Sequence, residues 1–227
     1  MIKEVSVLTL TDYLASVEEP PAFLFRGVSR PEYELTPSVG RNWQEGYMPF
    51  SGYEQKTFQE FKRRAPPWMQ IQPRNDWEWM MLAQHHGMPT RLLDWTTNAL
   101  AALFFCCCDD WNSDGVVYVL TGLGEINQEV NSNPFGIDED FYVRPRHISP
   151  RIAAQSAFFT VSRDPRKPVI EHCDRMIRIR ADRKQPMLQV IARYGINHAS
   201  LFPGLDGLAR DIQFEMIHLK AAFSMPS

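Results

Sequence analysis

The chain has 227 residues, of which 44% are hydrophobic and 22% charged, and its formal net charge is −3. This composition is typical of a globular protein that buries a core, and the length suits one large domain or two small ones. The charge balance excludes the strongly basic surface of a dedicated nucleic-acid-binding protein. No run of about 18 uncharged apolar residues is present, so the sequence predicts no membrane-spanning helix.

The cysteine pattern bears on metal binding and on location. Three of the four cysteines are consecutive, Cys106–Cys108, and the fourth is Cys173. This spacing is neither that of a disulfide framework nor that of a metal site, so we expect no metal. The first residues lack the pattern of a signal peptide, and the thiols suit a reducing compartment, so we expect a cytoplasmic protein.

The first part of the chain predicts a short strand, a turn or helix, a second strand and then a helix. Residues 5–16 indicate a short strand followed by a turn or helix, and the apolar run "PAFLFRG", residues 21–27, indicates a buried strand. Ser51 and Glu54 have the spacing of a capping box, which predicts a helix over residues 51–64.

Two further helices are predicted around the centre of the sequence. Asn75 or Asp76 opens the helix "WEWMMLAQHH", and Gly87 closes it. Thr96 or Thr97 is expected to cap the next helix, "NALAALFFCCC". That helix is apolar on nearly every side, which predicts a central, buried position.

The second half of the chain predicts strands, a long loop and two helices. Residues 114–120 indicate a strand and residues 122–150 a long loop or flap, and "RIAAQSAFFTV" and "RMIRIRA" indicate two more strands. A helix "DRKQPMLQVIARYG" is closed by Gly195, and a final helix starts near Pro203. One face of that last helix carries the apolar residues Leu205, Leu208, Ile212, Met216 and Leu219.

These elements together predict the fold class. We expect a mixed α+β fold, with a central buried helix and a small framing β-sheet. The predicted organisation is a single domain over residues 21–227, preceded by an N-terminal segment of residues 1–20.

The stretch "QHHGMPTRLLDWTT" concentrates polar groups between two apolar helices. Polar side chains in such a place must be hydrogen-bonded or used by a ligand. One interpretation is structural: Asp94 pairs with Arg91 and caps the following helix. The other is chemical: His85 near Asp94 forms an acid–base pair. His85 and His86 point about 100° apart on a helix, so they do not bind one metal together.

Four blocks of the sequence resemble the FRG domain family. They are "FLFRGVSR", which contains Phe25, Arg26 and Gly27, then "WEWMMLAQHHGMPTRLLDWTTNALAALFF", "RIAAQSAFF" and "GINHASLFPGLDGLAR". The resemblance covers about residues 20–212 and implies a bacterial or phage-type cytoplasmic protein. It does not supply a reaction.

"LFRG" is also similar to the first motif of the Arg-Ser-Glu type of ADP-ribosyltransferases. That resemblance implies that Arg26 steadies a phosphate or ribose of NAD and that Gly27 admits the ligand close to the backbone. "QFE" matches the last motif and implies that Glu215 is the catalytic carboxylate; the Ser-Thr-Ser middle motif is missing. A strand over residues 211–219 would turn Gln213 and Glu215 to one side, whereas a helix would not.

The residues themselves predict a cleft that binds a nucleotide-type ligand, and NAD is the first candidate for that ligand. Several Arg residues facing one cleft suit a phosphate. The predicted site residues are His85, Asp94 and Glu215 as catalytic groups, and Arg26, Gly27, Gln84, Arg91, Trp95, Arg151 and Gln155 as ligand-binding groups.

Two classes of function therefore stay open. One is an ADP-ribosyltransferase or NAD glycohydrolase acting as a toxin or phage-defence effector. The other is a ligand-sensing or protein-interaction module without turnover. The absence of a GxSxG or P-loop motif favours this second class. Neither a membrane nor a nucleic acid is an expected partner.

Overall fold

The computed structural model of the protein describes residues 2–18, 24–44, 48–69, 72–146 and 149–219. The strands are β1 (Lys3–Val7), β2 (Leu24–Val28), β3 (Leu92–Thr96), β4 (Gly115–Leu120), β5 (Phe141–Val143), β6 (Ala157–Val161) and β7 (Cys173–Ile179). The helices are α1 (Leu10–Glu18), α2 (Ser38–Asn42), α3 (Phe50–Arg64), α4 (Asp76–His85), α5 (Ala99–Cys107), α6 (Pro150–Ala154), α7 (Ala181–Arg193), α8 (His198–Leu201) and α9 (Leu205–Phe214).

The seven strands form one mixed sheet in the order β1-β7-β4-β2-β3-β6-β5. β1 and β7 run parallel, and every other neighbouring pair is antiparallel. The predicted α+β fold is confirmed, although the sheet is larger than expected and forms the centre of the molecule. Because β1 pairs with β7, the residues before position 21 contribute a strand to the same sheet.

Helix α5 packs directly on β2, and Gly27 makes this contact possible. A Cβ atom at Gly27 would lie 1.9 Å from the Ala102 carbonyl oxygen and 2.7 Å from the Cys106 amide nitrogen. No side chain fits into that space. The apolar character of α5 follows, because Ala101–Phe104, Cys106 and Cys107 are all buried. The predicted central helix is therefore confirmed.

Side chains alternate between the two faces of the central strands. One core lies under α5 and α7 and includes Phe25, Val117, Val119, Ile177 and Ile179. The opposite core includes Leu24, Val28, Val116, Tyr118 and Leu120. This alternation fixes which β2 side chains reach each face.

Two predicted helix starts differ from those in the structure. The N-cap of α5 is Asn98, whose Oδ1 accepts hydrogen bonds from the amides of Leu100 and Ala101. Thr96 instead ends β3, because the stretch before it pairs with β6. Helix α3 begins one residue before Ser51 and has no side-chain cap, so the predicted capping box is wrong.

The later elements agree with the sequence except in two places. The start of "RIAAQSAFFTV" forms the short helix α6 before β6 begins, with Ser149 as its N-cap. The long connection after β4 contains the short strand β5, which pairs with β6. Gly87 and Gly195 follow the ends of α4 and α7 with φ of 84° and 80°, as the sequence predicted.

Helix α9 presents its apolar stripe to solvent. Leu205 is 83% exposed and Leu208 46%, and Ile212 and Met216 are also exposed. The opposite face packs inward, because Gly207 approaches the Phe202 carbonyl so closely that a Cβ would lie 1.8 Å from its oxygen. The helix rotation is set by this contact rather than by the apolar stripe. Within the described residues, no helix has the length and apolarity needed to cross a membrane.

A buried ion pair joins α3 to the start of β3. The Glu54 carboxylate accepts hydrogen bonds from Arg91 Nε at 2.7 Å and Nη2 at 2.6 Å, and both residues are buried. Arg91 Nη1 also donates to the carbonyls of Pro134 and Ser162. Arg91 therefore ties its own segment to three others that are distant in sequence.

We expect Glu54→Gln to lower the free energy of unfolding by about 3–5 kcal/mol, because it leaves a buried guanidinium without its counter-charge. Glu60→Gln is the matched control on the same helix. Its exposed pairs with Arg63 and Arg64 contribute little to stability, because water screens them. Urea denaturation measures both, and equal effects of the two variants would contradict this assignment.

Candidate ligand-binding cleft

The cleft begins where β2 and β3 separate. Among the described residues, Phe25↔Thr96 is the one register pair between these strands. Beyond it, Arg26 reaches across the gap, and its Nη1 donates a hydrogen bond of 2.6 Å to the Asp94 carbonyl oxygen. The Arg26 side chain thus takes the place of a backbone ladder bond, and a cavity opens beside it.

The inner cavity has a volume of about 300 Å³. Its walls come from β2 and the residues after it, from β3, from the end of α5 and from α6. Residues that line it include Arg26, Tyr33, Asp94, Phe105, Asp109 and Arg151. Its size is at the lower end of the range of small-molecule sites.

Two further cavities adjoin the inner one. The neck, of about 80 Å³, is lined by Gln84, His85, Asp94, Arg151 and Gln155, together with apolar side chains. The outer cavity, of about 420 Å³, is lined by His85, Pro150, Arg151 and residues 202–207. Arg151 lines all three cavities, so they meet at its side chain.

Arg151 is a cation without a hydrogen-bond partner among the described residues. Its guanidinium lies over the Phe202 ring, with 4.7 Å between Cζ and the ring centroid. Burial lowers the pKa of Arg151, and the charge of Asp94 opposes that shift. An arginine that is partly withdrawn from water and has free N–H donors favours binding of an anion.

Arg26 and Asp94 form the second charged feature of the cleft. Burial lowers the pKa of Arg26, whereas Asp94 raises it. Arg26 Nη1 lies 3.8 Å from Asp94 Oδ2, and the Asp94 side chain is 61% exposed. The Asp94 carboxylate is therefore near a cation but still accessible from the cavity.

His85 ends α4 at the neck. Its pKa is lowered, chiefly by burial and then by the charges of His86 and Arg151, while Asp94 acts in the opposite direction. A histidine with a pKa below its ordinary value is neutral at pH 7. Its imidazole can therefore accept a proton at the neck.

The mouth of the inner cavity is held by a network around Asp110. The Asp110 carboxylate accepts hydrogen bonds from Ser29 Oγ at 2.7 Å and Arg30 Nη2 at 2.5 Å, which helps lower its pKa to about 2. Behind it, the buried Lys184 Nζ donates to the carbonyls of Ser29, Asp109 and Asp110 at 2.8–3.0 Å. The two walls of the mouth are thus tied to one ammonium group.

Eight of the ten predicted site residues line these cavities. They are Arg26, Gly27, Gln84, His85, Asp94, Trp95, Arg151 and Gln155. Some of them are already engaged: Trp95 Nε1 donates to Thr160, and Gln155 Nε2 donates to the Leu201 carbonyl. The hydroxyl of Thr90 donates to Gln84 Oε1. These residues shape the walls, and the charged groups remain for chemistry.

Two predicted site residues lie elsewhere. Arg91 is buried in its pair with Glu54 and lines none of the three cavities. Glu215 lies in the helical turn Glu215–Leu219 after α9, is exposed and lines none of them either. The strand that would turn Glu215 toward Arg26 is not formed. The Arg91–Asp94 pair is also wrong, because each residue has another partner.

Sequence reasoning missed several lining residues. Tyr33 and Asp109 of the inner cavity carried no motif that distinguished them, and Phe105, the last residue of the second FRG-like block, was not singled out. Phe202 lies in the quoted block "GINHASLFPGLDGLAR", and its position before Pro203 and Gly204 was a usable signal for a turn at a surface.

A cluster of Asp140, Glu171 and His172 lies outside the cleft, with potential metal-ligand atoms within 4.8 Å of one another. His172 Nε2 lies 3.1 Å from Asp140 Oδ2 and 3.6 Å from Glu171 Oε1. These contacts within the cluster account for the arrangement, and we assign no metal to it.

The motif that carries Arg26 and Gly27 and the strand β3 that carries Asp94 thus meet in one cleft. Residues 21–115 match the family model of the FRG domain. The FRG match supports the resemblance seen in the sequence, over a shorter range than the four blocks suggested. It contains Arg26, His85 and Asp94, whereas Arg151 lies beyond it. No curated protein and no solved structure matches the chain.

We expect a nuclear magnetic resonance titration to give His85 a pKa below 6.5, the value of an unperturbed histidine. Arg151→Gln should raise the pKa of His85, because it removes a repelling positive charge. Asp94→Asn should lower it further, because it removes an attracting negative charge. Shifts of the same sign in both variants would contradict this arrangement of charges.

Proposed function

We propose that the cleft binds a phosphate-bearing nucleotide, with NAD as the first ligand, and cleaves its bond between nicotinamide and ribose. The observation that carries this proposal is the convergence of Arg26, Asp94 and Arg151 on one cavity. Arg151 offers its N–H groups there without a competing acceptor among the described residues.

Arg26 and Arg151 bind the phosphate of the nucleotide. A guanidinium presents N–H donors in a planar fork that matches the oxygens of a phosphate. Both Arg26 and Arg151 are partly withdrawn from water, and electrostatic attraction is stronger in such a setting. A phosphate that enters the cleft therefore replaces the water lost by Arg151 when the protein folds.

Asp94 takes the role of the catalytic carboxylate, which the resemblance had assigned to Glu215. As nicotinamide leaves with the electrons of the glycosidic bond, positive charge develops on the ribose. An exposed carboxylate at the cavity wall stabilises that charge. Arg26 holds the carboxylate in place through its contacts with the Asp94 backbone and side chain.

His85 supplies the proton acceptor. The neck beside it, of about 80 Å³, has room for a water molecule, which occupies about 30 Å³ in the liquid. The water attacks the ribose carbon, nicotinamide leaves as a neutral base, and His85 accepts the proton of the water. If another nucleophile replaces the water, the same chemistry is ADP-ribosyl transfer. Loss of cellular NAD fits a cytoplasmic toxin or defence effector.

The second candidate function is a ligand-sensing module that contacts a protein partner. The exposed apolar stripe of α9 and the turn after it favours this function, since such a stripe is usually covered. It includes Leu205, Leu208, Ile212 and Met216. In that case the cleft binds the nucleotide without consuming it.

The test combines calorimetric titration with NAD, ATP and GTP and an assay of nicotinamide release. We expect NAD binding to the wild type and a loss of it in Arg151→Gln. The control Arg193→Gln removes the same charge from an exposed position on α7 outside the cleft. Asp94→Asn should retain its melting temperature, because an exposed pair contributes at most about 1 kcal/mol. Its nicotinamide release should fall by about 100-fold or more.

The outcomes separate the candidates. NAD binding with no nicotinamide release in the wild type would support the sensing module over the enzyme. Undiminished release in Asp94→Asn would remove Asp94 from the mechanism. No binding of any of the three nucleotides would overturn the proposed function.

A further inference from the structure

The outer cavity shares Arg151 with the inner one and is not needed by the function proposed above. Its walls are about equally polar and apolar. Pro150, Phe202, Pro203 and Leu205 provide the apolar part, and His85, Arg151 and Asp206 provide the polar part. Its volume of about 420 Å³ exceeds that of the inner cavity. Both volumes lie within the range of small-molecule sites.

Leu205 stands out on this wall because it is 83% exposed at the first residue of α9. Phe202 is also part of the wall, and its ring lies beneath the Arg151 guanidinium. The cavity therefore combines apolar surface suited to the face of a base with a cation at its inner end.

Arg151 connects the two cavities. Its side chain lines both, and its guanidinium has no hydrogen-bond acceptor among the described residues. A ligand whose anionic group binds Arg151 can therefore extend one part into the inner cavity and another into the outer cavity. A ligand with a ring system at each end and a negatively charged centre fits this arrangement.

We propose that the outer cavity is a second nucleoside subsite, so that the ligand is a dinucleotide with its pyrophosphate at Arg151. This inference rests on the proposed function, which requires the inner cavity alone. One nucleoside occupies the inner cavity beside Asp94. The other lies against Phe202 and Leu205, where the Asp206 carboxylate can accept hydrogen bonds from ribose hydroxyls.

Linking two bound halves raises affinity without any new contact. We therefore expect NAD to bind the wild type about 100-fold more tightly than nicotinamide mononucleotide or AMP, measured by calorimetric titration. Leu205→Asp should abolish that advantage, because it puts a negative charge on the subsite wall. The affinity for nicotinamide mononucleotide, which needs only the inner cavity, should stay unchanged.

The matched control is Leu208→Asp. Leu208 is exposed on the same helix but lines none of the three cavities, and the substitution adds the same charge. Leu205→Ala separates loss of apolar surface from charge repulsion, and it should weaken NAD binding less than Leu205→Asp. Thermal melting checks that each variant is folded.

The second subsite is overturned if NAD binds no more tightly than the mononucleotides. It is also overturned if Leu205→Asp and Leu208→Asp weaken NAD binding equally. In both of these cases the inner cavity and the proposed function stand, since the mononucleotides still bind. Failure of every nucleotide to bind the wild type would instead overturn the proposed function and the subsite with it.

Discussion

The close approach of α5 to β2 at Gly27 is the constraint on which the rest of the structure depends. The Ala102 carbonyl occupies the space where any other residue would have its Cβ. This contact places the end of α5, with Phe105, above the end of β2 and so builds one wall of the inner cavity. A larger residue at this position would push the helix away and open the core and the cleft together.

The same contact fixes the direction of the neighbouring Arg26 side chain, which reaches the inner cavity. Side chains alternate along β2, so Phe25 and Gly27 face α5 while Arg26 faces the other side. From there Arg26 spans the gap to the Asp94 carbonyl. A three-residue motif thus provides a core side chain, a charged group for the cleft and the helix contact.

Local signals in the sequence predicted much of the fold. The cap at Asn75 and the glycines Gly87 and Gly195 mark helix ends through the backbone conformation of a few adjacent residues, so they can be read directly. β3 was missed because its pairing with β6 depends on residues about 65 positions away. The Glu54–Arg91 pair, 37 residues apart, left no local pattern either.

In the candidate cleft, too, local features could be predicted from the sequence and long-range contacts could not. Arg26 and the stretch from Gln84 to Trp95 were brought together correctly because both lie at the ends of apolar elements. The apolar stripe of α9 does not mark its packed face, because Gly207, on the opposite face, lies against the Phe202 carbonyl. Glu215 is therefore exposed to solvent, whereas Asp94 and Asp109 line the inner cavity.

The Lys184 ammonium has a consequence for how the cleft admits a ligand. Its three donors hold the backbone after β2 and the backbone after α5 at a fixed separation. These two walls of the mouth cannot close on a ligand as separate bodies. Little conformational entropy is then lost there when a ligand enters. Discrimination between ligands at this end then depends on how well each one fits an opening of fixed width.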